Sequence, residues 1–162
     1  MKSFDSICSV LRRRANAVSF INGSEKYPNI YGRVLFYQLK NGVIVRAEIE
    51  GLPRANEECK NPIFAFHIHN GTECSGNETD AFYNAKGHFN PKNCSHPYHA
   101  GDMPPLFSVK GRAFSVFLTD RFTVSEILGK TIIIHRNADD FTIQPSGNAG
   151  EKMACGVIQG NS

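Results

Sequence analysis

From Ala17 onward the chain sets short runs rich in valine, isoleucine and phenylalanine between stretches of glycine, asparagine and proline. Apolar and polar positions that alternate two by two give a strand one face for a core and one for solvent, and a series of such runs specifies an all-β sandwich or barrel. The pattern predicts strands over 17–21, 31–39, 43–50, 63–69, 113–118, 131–135 and 153–158. Asn41-Gly42, between the second and third, reads as a tight hairpin turn, because both residues tolerate positive φ. Two long insertions, 70–110 and 136–152, interrupt the series. Loops of that length in a compact domain carry function or are tied down by metals or disulfides. The segment TDRFTVSEILGK predicts one helical turn, capped by Thr123 or Ser125 and stopped by Gly129. Residues 1–16 break the β pattern: Phe4, Ile7, Val10 and Leu11 have loose helical spacing before Arg12, Arg13 and Arg14, which predicts a short helix or a disordered arm ahead of one domain over 17–162.

Composition narrows the function classes. At 162 residues and 41% apolar content the chain can bury one real core, and its net charge of +3 is too mild for a nucleic-acid binder. No apolar run approaches the ~20 residues that cross a bilayer, so no membrane partner is expected. In a secretory signal basic residues precede the apolar run; here Ile7, Val10 and Leu11 precede the arginines. That order predicts a cytoplasmic location for the chain as it stands, or an exported one if it is a processed form. The five cysteines, Cys8, Cys59, Cys74, Cys94 and Cys155, are odd in number, so at least one thiol stays unpaired within a monomer.

The histidines change the picture most. All six are concentrated: His67 and His69 in FAFHIHN, His88, His96 and His99 in GHFNPKNCSHPYHAGD, and His135 in TIIIHRNADD. Imidazole is the commonest protein ligand for copper and zinc, so this clustering reads as a metalloprotein. Along 63–69, Phe64, Phe66 and Ile68 mark the core face, which leaves His67 and His69 projecting together from the outer wall as a two-imidazole clamp. By the same alternation Ile132 and Ile134 fill the interior while His135 points outward to close that site. His88, His96, His99 and Asp102 supply three imidazoles and a carboxylate, a closed set suited to tetrahedral, structural zinc that would order a glycine- and proline-rich loop.

FHIH, GHFNP, HPYHAGD, IIIHRNADD and GNAGEKMACGVI, in this order, resemble the copper/zinc superoxide dismutases, and the match covers nearly everything from Ala17 to Ile158. The resemblance implies an eight-stranded antiparallel Greek-key β-barrel with two long functional loops holding the metals outside it. It implies copper ligands His67, His69, His88 and His135, and zinc ligands His88, His96, His99 and Asp102, with His88 shared. It further implies that Asp139 bridges a copper histidine and a zinc histidine, and that Cys74 and Cys155 form a disulfide. Cys8, Cys59 and Cys94 gain no role from it. GDMPPL and DDFTIQPSGNAG are similar to the bacterial branch of the family, whose dimer contact differs, so a homodimer is open and its geometry is not transferred.

The implied activity is dismutation of superoxide to dioxygen and hydrogen peroxide by an alternating copper cycle, with His88 delivering a proton as general acid. Where the family usually has an arginine this chain has Lys152, which keeps the charge for guiding the anion but loses the planar fork that anchors it. Glu151 beside it adds a negative charge. Two rivals are weighed against the enzyme: a non-catalytic copper-delivery or metal-buffering protein of the same fold, and a structural zinc protein with an empty copper site.

Overall fold

The computed structural model describes residues 7–55 and 62–161. Helix α1 (Ile7–Leu11) is followed by β1 (Ala17–Gly23), β2 (Tyr31–Leu39), β3 (Gly42–Glu50), β4 (Ile63–Phe64) and β5 (Phe66–His69). After a 3-10 turn at Tyr83–Ala85 come β6 (Leu106–Phe107), β7 (Ala113–Thr119), α2 (Val124–Ile127), β8 (Thr131–His135) and β9 (Lys152–Gly160). Every pairing is antiparallel: β5-β8-β9-β1-β2-β3-β7 form one sheet and β4-β6 a second ladder. Chain neighbours are not always sheet neighbours, since β3 lies beside β7 and β9 returns beside β1, which is Greek-key connectivity. β4 runs on from β5 at one edge of the large sheet and β6 lies against β7 at the other, so the curled sheet closes into the barrel of the predicted all-β class.

The alternation that specified the strands fills the barrel. Val34 and Phe36, Val43, Val45, Ala47 and Ile49, Phe64, Phe66 and Ile68, and Ile132 and Ile134 all belong to one buried core. At the ~25 cal/mol per Å² that apolar burial contributes, this cluster is the main stabilising element of the domain. A second cluster sits on the barrel's outer face, where α1 lays Val10 against Tyr37 and Ile44 with Leu35, Leu39 and Val116 around them. Thus 7–11 is the short helix of the two forms expected, and it is packed.

Three local readings shift. The strand expected over 63–69 is broken at Ala65, whose N–H donates to Asn137 O (2.8 Å) while its carbonyl accepts from His135 N (2.9 Å). Together with β6 this makes nine strands among the described residues where eight were expected. The β2-β3 hairpin turns on Lys40-Asn41, one position before the predicted Asn41-Gly42, because Leu39 already pairs with Gly42. Gly42 instead serves a close approach: at φ +150° a Cβ there would lie 2.7 Å from the Thr119 carbonyl oxygen. In α2, Thr123 rather than Ser125 is the cap, in a reciprocal capping box with Glu126, and Gly129 follows at φ +77°.

No helix among the described residues is long and apolar enough to cross a membrane.

Candidate metal centre

The two histidines of β5 do stand on the barrel's outer side, yet that side is dry. His67 is wholly buried and His69 is 2% exposed, because the long insertion folds back over β8 and β9. Phe82 and Ala85 of the insertion pack on Ile133 and Cys155, and Cys74 is disulfide-bonded to Cys155 across 81 residues of sequence. The outer wall of β8 is therefore covered by a third, small cluster, and all five of its residues are buried.

The insertion also rides along the edge of β5, and this sets the site. Asn70 N–H donates to Gly87 O (2.8 Å), Phe89 N–H to Ile68 O (2.8 Å) and Ile68 N–H to Gly101 O (2.9 Å). His69 thereby bridges to His88 and His67 to Asp102. On the other edge β8 pairs His67 with Ile133 and leaves His135 at the strand end, opposite Lys152 of β9. Two groups of side chains converge: His67, His69, His88 and His135, and then His88, His96, His99 and Asp102, each offering ligand atoms all within 4.8 Å of one another. Every imidazole foreseen for a metal falls in one of these groups, His88 in both. Cys94 belongs to neither; its thiol is free and its backbone is held by Asn90. Cys8 is free and exposed, and Cys59 lies outside the described residues.

Hydrogen bonds fix which nitrogen faces inward. His69 Nδ1 donates to Lys86 O (2.7 Å) and His135 Nδ1 to Gly150 O (3.1 Å), so both Nε2 atoms are turned toward each other at 3.1 Å. Asp139 accepts from His67 Nε2 (2.6 Å) and from His96 Nε2 (2.8 Å), tying one ring of each group. Such outer partners set the tautomer and raise ligand basicity. The nitrogens left over, His67 Nδ1, His88 Nε2 and His96 Nδ1, are buried with no hydrogen-bond partner. His96 Nδ1 does lie 3.0 Å from Asp102 Oδ2, as two ligands of one ion would. An orphaned buried polar atom costs about 1–3 kcal/mol, and three aimed into the same two clusters are explained by cations that accept their lone pairs. The donor set fits: four nitrogens suit copper, and three nitrogens with one carboxylate oxygen suit zinc.

Protonation agrees with this. Burial pushes His69 well below its ordinary pKa and His135 down to about 3, with neighbouring imidazoles adding to the effect. His67 is lowered by the same desolvation against the pull of Asp139. Burial alone would raise Asp139 and Asp102, but the histidines they hydrogen-bond hold both carboxyls below the usual range. His67, His69 and His135 are thus favoured as neutral imidazoles and Asp102 and Asp139 as carboxylates, the ligand form of each.

Several contributors carried no signal in the histidine pattern. Gly147, at φ +64°, sits where a Cβ would be 2.0 Å from Asp139 Oδ1 and 2.6 Å from His96 Nε2. GNAG marked it only as part of a motif. Lys86 and Gly150 act through main-chain carbonyls, which no side-chain pattern reveals. Lys152 is not a free ammonium: Nζ lies 2.7 Å from Asp80 Oδ2 and 3.1 Å from Phe82 O. Glu151 turns away, held by Lys26 (2.8 Å) and by the Tyr27 hydroxyl (2.8 Å).

The family model of copper/zinc superoxide dismutase (SODC) matches residues 30–158. A copper–zinc superoxide dismutase of Aquifex aeolicus is 32% identical, the match covering 80% of this chain and 80% of that protein. The corresponding figures are 31%, 82% and 80% for the enzyme of Legionella pneumophila, and 32%, 79% and 78% for that of Photobacterium leiognathi. Fold, converging ligand sets and these matches agree, and the chain belongs to the copper/zinc superoxide dismutase family.

Proposed function

We propose that this protein dismutes superoxide, two anions and two protons giving one dioxygen and one hydrogen peroxide, at a copper centre held by His67 Nδ1, His69 Nε2, His88 Nε2 and His135 Nε2. His88 Nδ1, His96, His99 and Asp102 are the residues that would hold zinc. Copper, when bound, supplies the one-electron chemistry that no side chain here has, by alternating between Cu(II) and Cu(I), and zinc supplies a fixed charge. The single observation that carries the reading is His88, whose Nε2 is an orphan in the first group while Nδ1 lies 2.7 Å from Asp102 and 3.2 Å from His99 Nδ1 in the second.

The residues divide the remaining work. His69 and His135 are locked by main-chain carbonyls, so their inward lone pairs cost no reorganisation. When Nε2 of His88, the nitrogen without a protein partner, is not serving as a ligand, it can hold a proton and give it to the reduced oxygen species as general acid. Asp139 keeps His67 and His96 in register, so the two groups act as one unit. Lys152, opposite His135, acts as a positioning residue that clamps the turn at Asp80 and Phe82. All of these groups lie in the domain we assign to 17–162, and none of the described residues before Ala17 belongs to either metal group.

The test is the protein loaded with one copper and one zinc. It is expected to accelerate superoxide decay far above free copper under chelator control and to keep its copper through turnover. Decay no faster than the chelated control, or copper passed on to an apoprotein instead, contradicts the reading.

Two further features complete the proposal. Phe20, Tyr31, Phe107 and Phe114 are each more than half exposed and line one depression with Arg33, Arg112, Glu48 and Glu50. Arg33 is paired with Glu48 (2.6 Å) and Arg112 with Glu50 (3.5 Å), so the exposed aromatics lie among neutralised charges, and a homodimer through this face is the assembly we propose; sedimentation showing a monomer at micromolar concentration excludes it. The cytoplasmic location expected at the outset meets one opposing observation, the Cys74–Cys155 bond, since disulfides persist in oxidising compartments. Cell fractionation with activity staining decides between the two.

A further inference from the structure

We propose that Lys86 is the cation that guides superoxide to the copper centre, an inference that rests on the reading of His67, His69, His88 and His135 as the copper site. Lys152, the charge foreseen for the task, is already paired. The Lys152 side chain is 15% exposed, with its ammonium bonded to Asp80 Oδ2 and Phe82 O. Glu151 is matched by Lys26 and capped by Tyr27. Arg136, next to His135, lies within electrostatic range of Glu151 and stabilises its carboxylate. Lys152 and Lys26 are thus neutralised by Asp80 and Glu151, which leaves the exposed Arg136 as the other cation beside the site.

Lys86 is different on three counts. Its carbonyl oxygen holds His69 Nδ1 at 2.7 Å, so the residue is rooted one hydrogen bond from a copper-site ring. Its side chain is exposed, and its ammonium has no ion pair or hydrogen bond among the described residues. Its backbone, at φ 63° and ψ −153°, occupies a region that is essentially reserved for glycine. Glycine at this position would present the same carbonyl to His69 without strain, so the backbone role does not account for a lysine. What the side chain adds is a mobile, strongly hydrated point charge, which suits steering rather than anchoring. The Lys152 clamp also finds its place here, because the turn it holds at Asp80 and Phe82 leads directly through Tyr83–Ala85 to Lys86.

The test uses the copper- and zinc-loaded protein with two readouts. One is the second-order rate with superoxide from pulse radiolysis across a range of salt. The other is azide affinity, titrated on the visible copper(II) band, which needs no turnover. At low salt, Lys86→Gln should lower the rate and weaken azide about two- to threefold, as expected for the loss of one exposed, screened unit charge. The difference should vanish toward 1 M salt, where the Debye length is about 3 Å. Lys86→Arg should retain wild-type values. Lys86→Gly should raise Tm by relieving the backbone while losing the same anion affinity, a pair of opposite signs that a structural role does not produce. Rate, salt slope and azide affinity all unchanged in Lys86→Gln would overturn the proposal, as would Lys152→Gln flattening the salt slope while Lys86→Gln does not. If the wild-type protein binds copper yet fails to dismute superoxide, the functional reading falls and azide titration alone still decides the role of Lys86.

Discussion

Asp139 and His67 are joined by a 2.6 Å hydrogen bond between a buried carboxylate and a buried Nε2–H, and the other oxygen of the same carboxylate takes His96 at 2.8 Å. One side chain thus orients a ring in each metal group. Asp139→Ala leaves both Nε2 donors unpaired, and outer partners of this kind typically matter ~10–100-fold in metal affinity. Competition against a chelator should show copper and zinc weakened together. Zinc unchanged with copper weakened would mean that the two rings are set independently.

Gly147 makes the same point from the backbone. An alanine Cβ there would lie 2.0 Å from Asp139 Oδ1, and the positive φ adds strain of its own. Gly147→Ala should therefore mimic Asp139→Ala in metal affinity. Its metal-free Tm should also fall by an amount corresponding to about 1–3 kcal/mol. Full metal affinity in Gly147→Ala, measured by the same chelator competition, would show that the loop yields without moving Asp139.

How much of this was legible in the sequence depends on whether a feature is local. Alternation placed β1, β2, β3, β7, β8 and β9 to within two residues, because one face of each fills the barrel. The break at Ala65 was hidden, since Asn137 and His135 impose it from afar. The hairpin slipped by one position because pairing down to Leu39–Gly42 fixes the turn, not the residues' tolerance for positive φ. The imidazoles announced the metal centre because so few other jobs gather six of them. The charges around it were opaque: Lys152 and Lys86 look alike on paper, and only the path of 80–86 decides which is paired and which is free.

The Cys74–Cys155 bond closes a loop of 81 residues, for which the loop-entropy model gives roughly 4–5 kcal/mol of stabilisation through the unfolded state. Reduction, or Cys74→Ser, should lower the Tm of the metal-free protein by more than 10 °C and loosen the packing of Phe82 and Ala85 on Ile133. Calorimetry of the oxidised and reduced forms checks it. A shift of only a degree or two would place the loop's anchorage in its apolar contacts.

Acid should destabilise the metal-free protein in a defined window. His135 titrates near 6.5 when unfolded but at about 3 in the fold, and His69 and His67 are lowered in the same direction by burial. Between those limits the unfolded chain binds more protons, so stability is full above about pH 6.5 and declines as the pH falls toward 3. Each such histidine contributes a slope of about 1.4 kcal/mol per pH unit. Denaturant midpoints from pH 7.5 to 4.5 should fall steadily, whereas a flat profile would mean that these rings are already protonated or solvated in the native state.

The central claim is that His88 belongs to both metal groups at once. Its most direct test is electron paramagnetic resonance of the protein loaded with Cu(II) in the four-histidine group and Co(II) in the group containing Asp102. A shared His88 imidazolate should couple the two spins and quench the copper signal, and His88→Ala should remove that coupling. A full-intensity, isolated copper(II) signal from wild-type protein with both ions bound would contradict the account.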